Sequence, residues 1–163
     1  MKVIKKQLNS HNCIICGVDN EAGLKASFYE MENGTVVSKF IYKDIHQSYP
    51  GRAHGGMITC MLDELIGRAI WITEPTTWGV TASINVRFHK PVPLNEELMG
   101  IGRITKSNRF LFDAEGEIKD KNGTVLATAT ATYFKLKPEQ IMDDVEHDVM
   151  FLIPDDVSDI EIF

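Results

Sequence analysis

The chain has 163 residues, 44% of them hydrophobic and 25% charged, an ordinary soluble balance that suits one domain with a real core. No apolar run approaches the roughly 18 residues of a membrane span, no basic run with interleaved aromatics points to nucleic acid, and three cysteines are too few and too odd for a disulfide framework. The net charge of −6 is uneven: nine acids and no Lys or Arg follow Lys137, which leaves 14 acids and 17 bases before it and a body open to an anionic ligand.

The first residues, "MKVIKKQLNSHN", are basic but lack the apolar stretch of a secretory leader, so a cytoplasmic protein is expected. Cys13 and Cys16 then form one Cys-x-x-Cys. A structural zinc site normally takes four ligands. His11 could supply a third, but no second cysteine pair exists, so the expectation is a tight turn with buried thiols and no metal. Residues 24–31 and 35–42 are rich in β-branched and aromatic types and flank Asn33-Gly34, which predicts a hairpin. Pro50 and Gly51 break the loop that follows.

Residues 55–72 carry the one long helical pattern. Met57, Ile58, Met61, Leu62, Leu65, Ile66, Ala69 and Ile70 recur at helical spacing, and Pro75 closes the run. The period then changes to two. Strands are predicted at 79–88, 97–106, 109–119 and 124–136, with a second hairpin at Asn122-Gly123. "TVLATATATYFKL" alternates small residues with threonines, as a strand packed closely under a helix would. A last helix is predicted from Glu139 to Met150. The sum is an α+β domain over residues 1–163, an antiparallel sheet wrapped round one long central helix, with its core at about 20–136 and an acidic tail at about 138–163. That tail is either solvated or docked on a neighbouring subunit.

The helix carries an anomaly. Asp63 stands inside the apolar pattern, nine residues past His54, and Gly56, Thr59, Cys60, Ile66 and Gly67 are predicted to share its face. The Gly55 and Gly56 amides belong to the first helical turn, whose N–H groups have no partner within the helix. With the helix dipole behind them they suit a developing oxyanion, and glycine lets a substrate approach closely. One element thus offers an oxyanion donor at its mouth and a carboxylate two turns in, which fits attack on a carbonyl. Glu64, four residues before Arg68, is expected to form an exposed surface pair. Cys60 is expected to be a small core residue.

"YPGRAHGGMITCMLDE" resembles the signature of the hotdog-fold thioesterases of the 4-hydroxybenzoyl-CoA and phenylacetate-degradation (PaaI-like) type, and the expected element order agrees over about residues 20–136. "NCIICGVDNEAGL" is similar to an N-terminal segment found in part of that group. The resemblance implies hydrolysis of an acyl-CoA thioester to free acid and CoA, with no cofactor because CoA is part of the substrate. It implies that Asp63 is the catalytic carboxylate, as general base or nucleophile. It implies that the Gly55 N–H polarises the thioester carbonyl, that His54 shapes the site and that Thr81 places water or substrate. Many members have Asn or Gln six residues before the histidine. Here Ser48 takes that polar position, with Gln47 beside it.

Arg87 and Lys90 end a strand, where charges are routine, yet CoA phosphates would find natural partners in them. The edge strand at 79–88 is expected to pair with its twin in a homodimer or a dimer of dimers. Two other readings stand beside hydrolysis. Hotdog hydratases and dehydratases place a catalytic His with their acid in different motifs. A non-catalytic acyl-CoA sensor would add a DNA-binding segment, for which the roughly 20 residues before the first predicted strand are too few.

Overall fold

The computed structural model describes residues 2–142 and 151–152. In chain order the elements are β1 (Val3–Lys6), β2 (Asn9–Ser10), β3 (Ser27–Met31), β4 (Val36–Ile41), α1 (Gly55–Gly67), β5 (Trp78–Phe88), β6 (Glu97–Ser107), β7 (Leu111–Lys119), β8 (Val125–Leu136) and β9 (Phe151–Leu152). Short 3₁₀ turns occupy Asp44–His46, Arg68–Ile72 and Pro138–Gln140.

Two Asn-Gly hairpins help to set the register of the sheet. β3 joins β4 through Asn33-Gly34, and β7 joins β8 through Asn122-Gly123. Both glycines sit at φ 78°, a conformation that a Cβ disfavours. The strands form one antiparallel sheet in the order β1-β3-β4-β6-β7-β8-β5, and α1 lies against β4, β5, β6, β7 and β8. β2 and β9 pair separately as a two-stranded ribbon.

The helical stripe is buried as its period demands. Ile58, Met61, Leu62, Leu65 and Ile66 face the sheet, and Ala69 and Ile70 continue the stripe in the 3₁₀ turn. Each buried Ile, Leu or Met of this stripe stabilises the fold by about 1.5–3 kcal/mol. The sheet makes room with small residues. Ala127, Ala129 and Ala131 of β8 are buried, as the alternation there predicts. Glycine is required in mid-strand where the helix comes closest. A Cβ on Gly102 would meet the Leu65 carbonyl oxygen at 3.2 Å, and one on Gly116 would meet Ile66 Cγ2 at 2.5 Å and the Ile101 carbonyl oxygen at 2.8 Å.

Several sequence expectations need correction. The helix over 55–72 ends as α-helix at Gly67 and tightens to 3₁₀ over Arg68–Ile72. β1 and β2 were not foreseen: β1 is a short, charged strand on the sheet edge and β2 is polar, so neither shows an apolar alternation. Of the helix expected at Glu139 to Met150, only the turn Pro138–Gln140 is seen, and residues 143–150 lie outside the described residues. In the tail, residues 151–152 pair with β2 of the same chain. No helix among the described residues is long and apolar enough to cross a membrane.

The close approach at Gly116 yields a stability test. Gly116→Ala should lower unfolding free energy by about 1–3 kcal/mol, because backbone and helix atoms on both sides resist the added methyl. Urea denaturation at unchanged m-value would read it; a wild-type midpoint would mean that α1 does not press on β7.

Candidate active site

The start of α1 is built by His54. Its backbone is extended at the N-cap and its Nδ1 accepts the Gly56 N–H at 2.9 Å, which assigns the proton to Nε2 in the neutral ring. The cap therefore occupies one of the two glycine amides expected to be available. Among the described residues the Gly55 N–H makes no hydrogen bond. Phe88 packs over Gly55, with Cζ 3.5 Å from where a Cβ would stand.

Two turns further along, Asp63 leaves the apolar stripe and enters a cavity of about 510 Å³. Ser10, Cys13, Cys16, Glu64, Gly67, Trp71, Trp78, Gly79, Thr81 and Tyr133 are among the residues that line it. Thr81 Oγ1 donates to Asp63 Oδ1 at 2.9 Å and reaches Oδ2 at 3.2 Å. Tyr133 Oη donates to Asp63 Oδ1 at 2.9 Å and reaches its backbone carbonyl at 3.0 Å. Burial, reinforced by the Asp63 charge, pushes the Tyr133 phenol far above its ordinary range, so it stays a donor at any working pH. The carboxylate is thus fixed in orientation by two neutral hydroxyls.

Local sequence explains the fit. Thr81 pairs with Tyr133 and Ser83 with Thr132, so Ala82 is the extra residue of a bulge that shifts the alternation of β5 beside the site. Tyr133 stacks on Phe112 at 4.8 Å. Gly67 and Gly79 leave space for those two rings: a Cβ on Gly67 would meet Tyr133 Cε1 at 3.2 Å, and one on Gly79 would meet Phe112 Cζ at 2.7 Å.

The remaining predicted site residues lie elsewhere. Asp63 and Gly55 are eight residues apart on one helix, a rise of about 12 Å. His54 and Lys90 are exposed, whereas Arg87 lines a separate groove with Asn85, Arg103, Glu115, Glu117 and Thr128, on the sheet face opposite to Phe88, and none of the three lines the Asp63 cavity. Ser48 is exposed in the preceding loop, where its N–H donates to the Arg52 carbonyl at 2.9 Å. Gln47 Oε1 is already engaged by the Gly51 N–H at 3.1 Å. The chain therefore presents two half-sites and does not join them. Ile66, expected on the Asp63 face, is fully buried under the sheet, and Cys60, expected in the core, is exposed.

The sequence model of the thioesterase superfamily matches residues 50–127, the stretch from the loop before α1 to β8. A solved protein of that superfamily superposes with a TM-score of 0.70 at 25% identity, over 76% of this chain and 60% of the other. The chain has the hotdog fold of the thioesterase superfamily. A phenylacetic acid degradation-related protein of Ralstonia eutropha shares this hotdog fold with a TM-score of 0.62 at 26% identity, over 68% of this chain and 85% of that one. The acyl-coenzyme A thioesterase THEM4 of Mus musculus is 32% identical over 117 residues. That match takes in 71% of this chain, which spans about half (49%) of the length of that relative.

Within this hotdog domain, the sequence reading missed Tyr133. Its only signal was a tyrosine interrupting the small-residue alternation "ATATATY", and its link to Asp63 depends on the β5–β8 register. Glu64 also differs from expectation. The pair with Arg68 is present at 2.7 Å, but Arg68 is only 5% exposed. Its guanidinium lies between the Phe28 and Trp71 rings and donates to the Leu8 carbonyl at 2.9 Å. The helix turns this cation under the N-terminal segment instead of toward water. Glu64→Ala should therefore cost about 1–3 kcal/mol in urea denaturation, where a surface i,i+4 pair would cost only about 0.3–0.5. A loss within the surface range would show that Arg68 is satisfied without Glu64.

Proposed function

We propose that this chain hydrolyses an acyl-CoA thioester to a free acid and CoA. The observation that carries the reading is Asp63, a carboxylate held by Thr81 and Tyr133 at an apolar-walled cavity on a helix that starts with a free Gly55 amide. The acyl group enters that cavity between Trp71 and Trp78. Asp63 activates a water or attacks the carbonyl carbon itself. Thr81 and Tyr133 hold the carboxylate so that it faces one carbonyl, and a Gly55 N–H takes the developing oxyanion. His54 keeps that amide in place by capping the turn. Ser48 lines the approach to this end of the helix. The match to the thioesterase superfamily model and the likeness to a relative named as an acyl-coenzyme A thioesterase support the substrate class.

Two half-sites about 12 Å apart along one helix cannot act on one carbonyl. A second copy resolves this. β5 is an edge strand of 11 residues, long and exposed, and such an edge needs cover. Pairing it with its twin about a two-fold axis brings Asp63 of one subunit toward the Gly55 end of the other. The same pairing sets Arg87 and Lys90 where CoA phosphates leave the site. Homodimer or dimer of dimers, the protein works in the cytoplasm on this reading, where its three cysteines stay as thiols.

Asp63→Asn should lower turnover about a hundredfold or more, read as thiol release from acyl-CoA. Gly55→Pro removes the donor while suiting the first helical position, and should also be inactive. Co-assembled from the two inactive chains, mixed dimers should recover about a quarter of wild-type turnover, since half are hetero and each of those holds one intact site. No recovery, with hetero-dimers verified by native mass spectrometry, would place both groups in one subunit and refute the shared site.

Removing the charges of Arg87 and Lys90 together should raise KM for acyl-CoA more than about tenfold, because charge-assisted contacts contribute about 1.5–3 kcal/mol each. Turnover should change far less, and a truncated thioester lacking the nucleotide should be indifferent. Equal effects on both substrates would remove these residues from the CoA path.

A further inference from the structure

We propose that Cys13, Cys16 and Glu64 form a binding site for one soft divalent cation, of the zinc class, in the wall of the Asp63 cavity. Each residue offers one ligand atom, and the three atoms lie within 4.8 Å of one another. They come from two parts far apart in sequence, the turn after β2 and the last turn of α1. His11, which by sequence could have supplied a third ligand to a site that was not expected to hold a metal, is instead held by Asp19 at 2.5 Å.

The turn is shaped to present its sulfurs. Its Gly17 N–H closes on the Cys13 carbonyl at 2.9 Å, and a Cβ on Gly17 would overlap that carbonyl. The Ile15 and Cys16 N–H groups both point at Cys13 Sγ, at 3.3 and 3.5 Å. Ser10 Oγ lies 3.3 Å from Cys16 Sγ, and Asn9 Nδ2 fixes the Cys16 carbonyl at 2.8 Å. Donors aimed at the sulfurs orient them, which is the supporting shell that metal ligands need. Glu64 is anchored through Oε1 by Arg68, which leaves its second oxygen for an ion.

Size and charge agree. Two thiolates on one tetrahedral zinc, at about 2.3 Å each, stand about 3.8 Å apart, so side-chain rotations of about 1 Å close the set. Arg68 and Glu64 cancel each other's charge. Two thiolates then remain, and a divalent cation neutralises them in a buried place where an uncompensated charge is costly. Two sulfurs with one carboxylate select zinc over magnesium or calcium. The fourth position opens to the cavity, where water completes the set. Such an ion ties the N-terminal segment to α1 at the residue next to Asp63, and so fixes that wall of the cavity.

The test reads metal content, not turnover, so it stands apart from the thioesterase reading. The full chain, reduced and freed of metal, is titrated with zinc and with cobalt(II). One ion per chain is expected, with a near-ultraviolet thiolate-to-cobalt band and tetrahedral visible bands. The variant with both Cys13→Ser and Cys16→Ser should lose both signals. Glu64→Gln, which keeps the shape of the helix, should bind at least about tenfold more weakly, and guards against misfolding of the cysteine variant. Zinc should also shield both thiols from a thiol reagent. Thiols that stay fully reactive in excess zinc, or pair as a Cys13–Cys16 disulfide that zinc does not prevent, overturn the proposal. So does an ion retained by the double cysteine variant.

Discussion

One helix has to bury its apolar face against one sheet, and the rest of the structure answers to that constraint. An apolar stripe of Ile58, Met61, Leu62, Leu65 and Ile66 takes up the sheet-facing side. The strands beneath it must then be small, hence Gly100, Gly102, Gly116 and the alanines of β8. The stripe leaves the rest of the helix half-buried or exposed, and Asp63 and Glu64 stand on that flank. Asp63 is half-buried there, and a half-buried carboxylate is held in one orientation only by donors. Thr81 and Tyr133 supply them from the two strands that close over the flank.

Adjacent carboxylates on that flank meet different chemistry. Asp63 faces two neutral hydroxyls and keeps its charge available to a ligand. Glu64 faces a buried guanidinium and the Cys-x-x-Cys turn, so its charge is tied into the structure. A step of about 100° round the helix separates a site that can act on a substrate from one that holds the N-terminal segment. Arg68 links these parts, since it touches Glu64, Leu8, Phe28 and Trp71 at once.

The length of α1 has the opposite consequence. The helix is long enough to separate its N-terminal amides from Asp63, and β5 leaves an open edge beside both. A fold with a long exposed edge at β5 gains from a second copy twice over, by covering that edge and by bringing complementary ends together.

Sequence alone determined the sheet-and-helix plan, because period-two and period-3.6 patterns and the two Asn-Gly turns are local physics. It also placed Asp63, Gly55 and His54 on one helix, since spacing within a helix is fixed by its pitch. It could not find β1, β2 or β9, whose short segments carry no amphipathic pattern. Nor could it find the partners of Asp63. Tyr133 lies 70 residues away, and only the β5–β8 register with the Ala82 bulge brings it to the carboxylate. The same holds for Glu64, which spacing read as a surface pair. Tertiary packing rolled the helix so that Arg68 was buried between two rings and Glu64 met two cysteines 48 and 51 residues earlier. Local pattern says which residues share a face; only the sheet that covers the face decides what each of them meets.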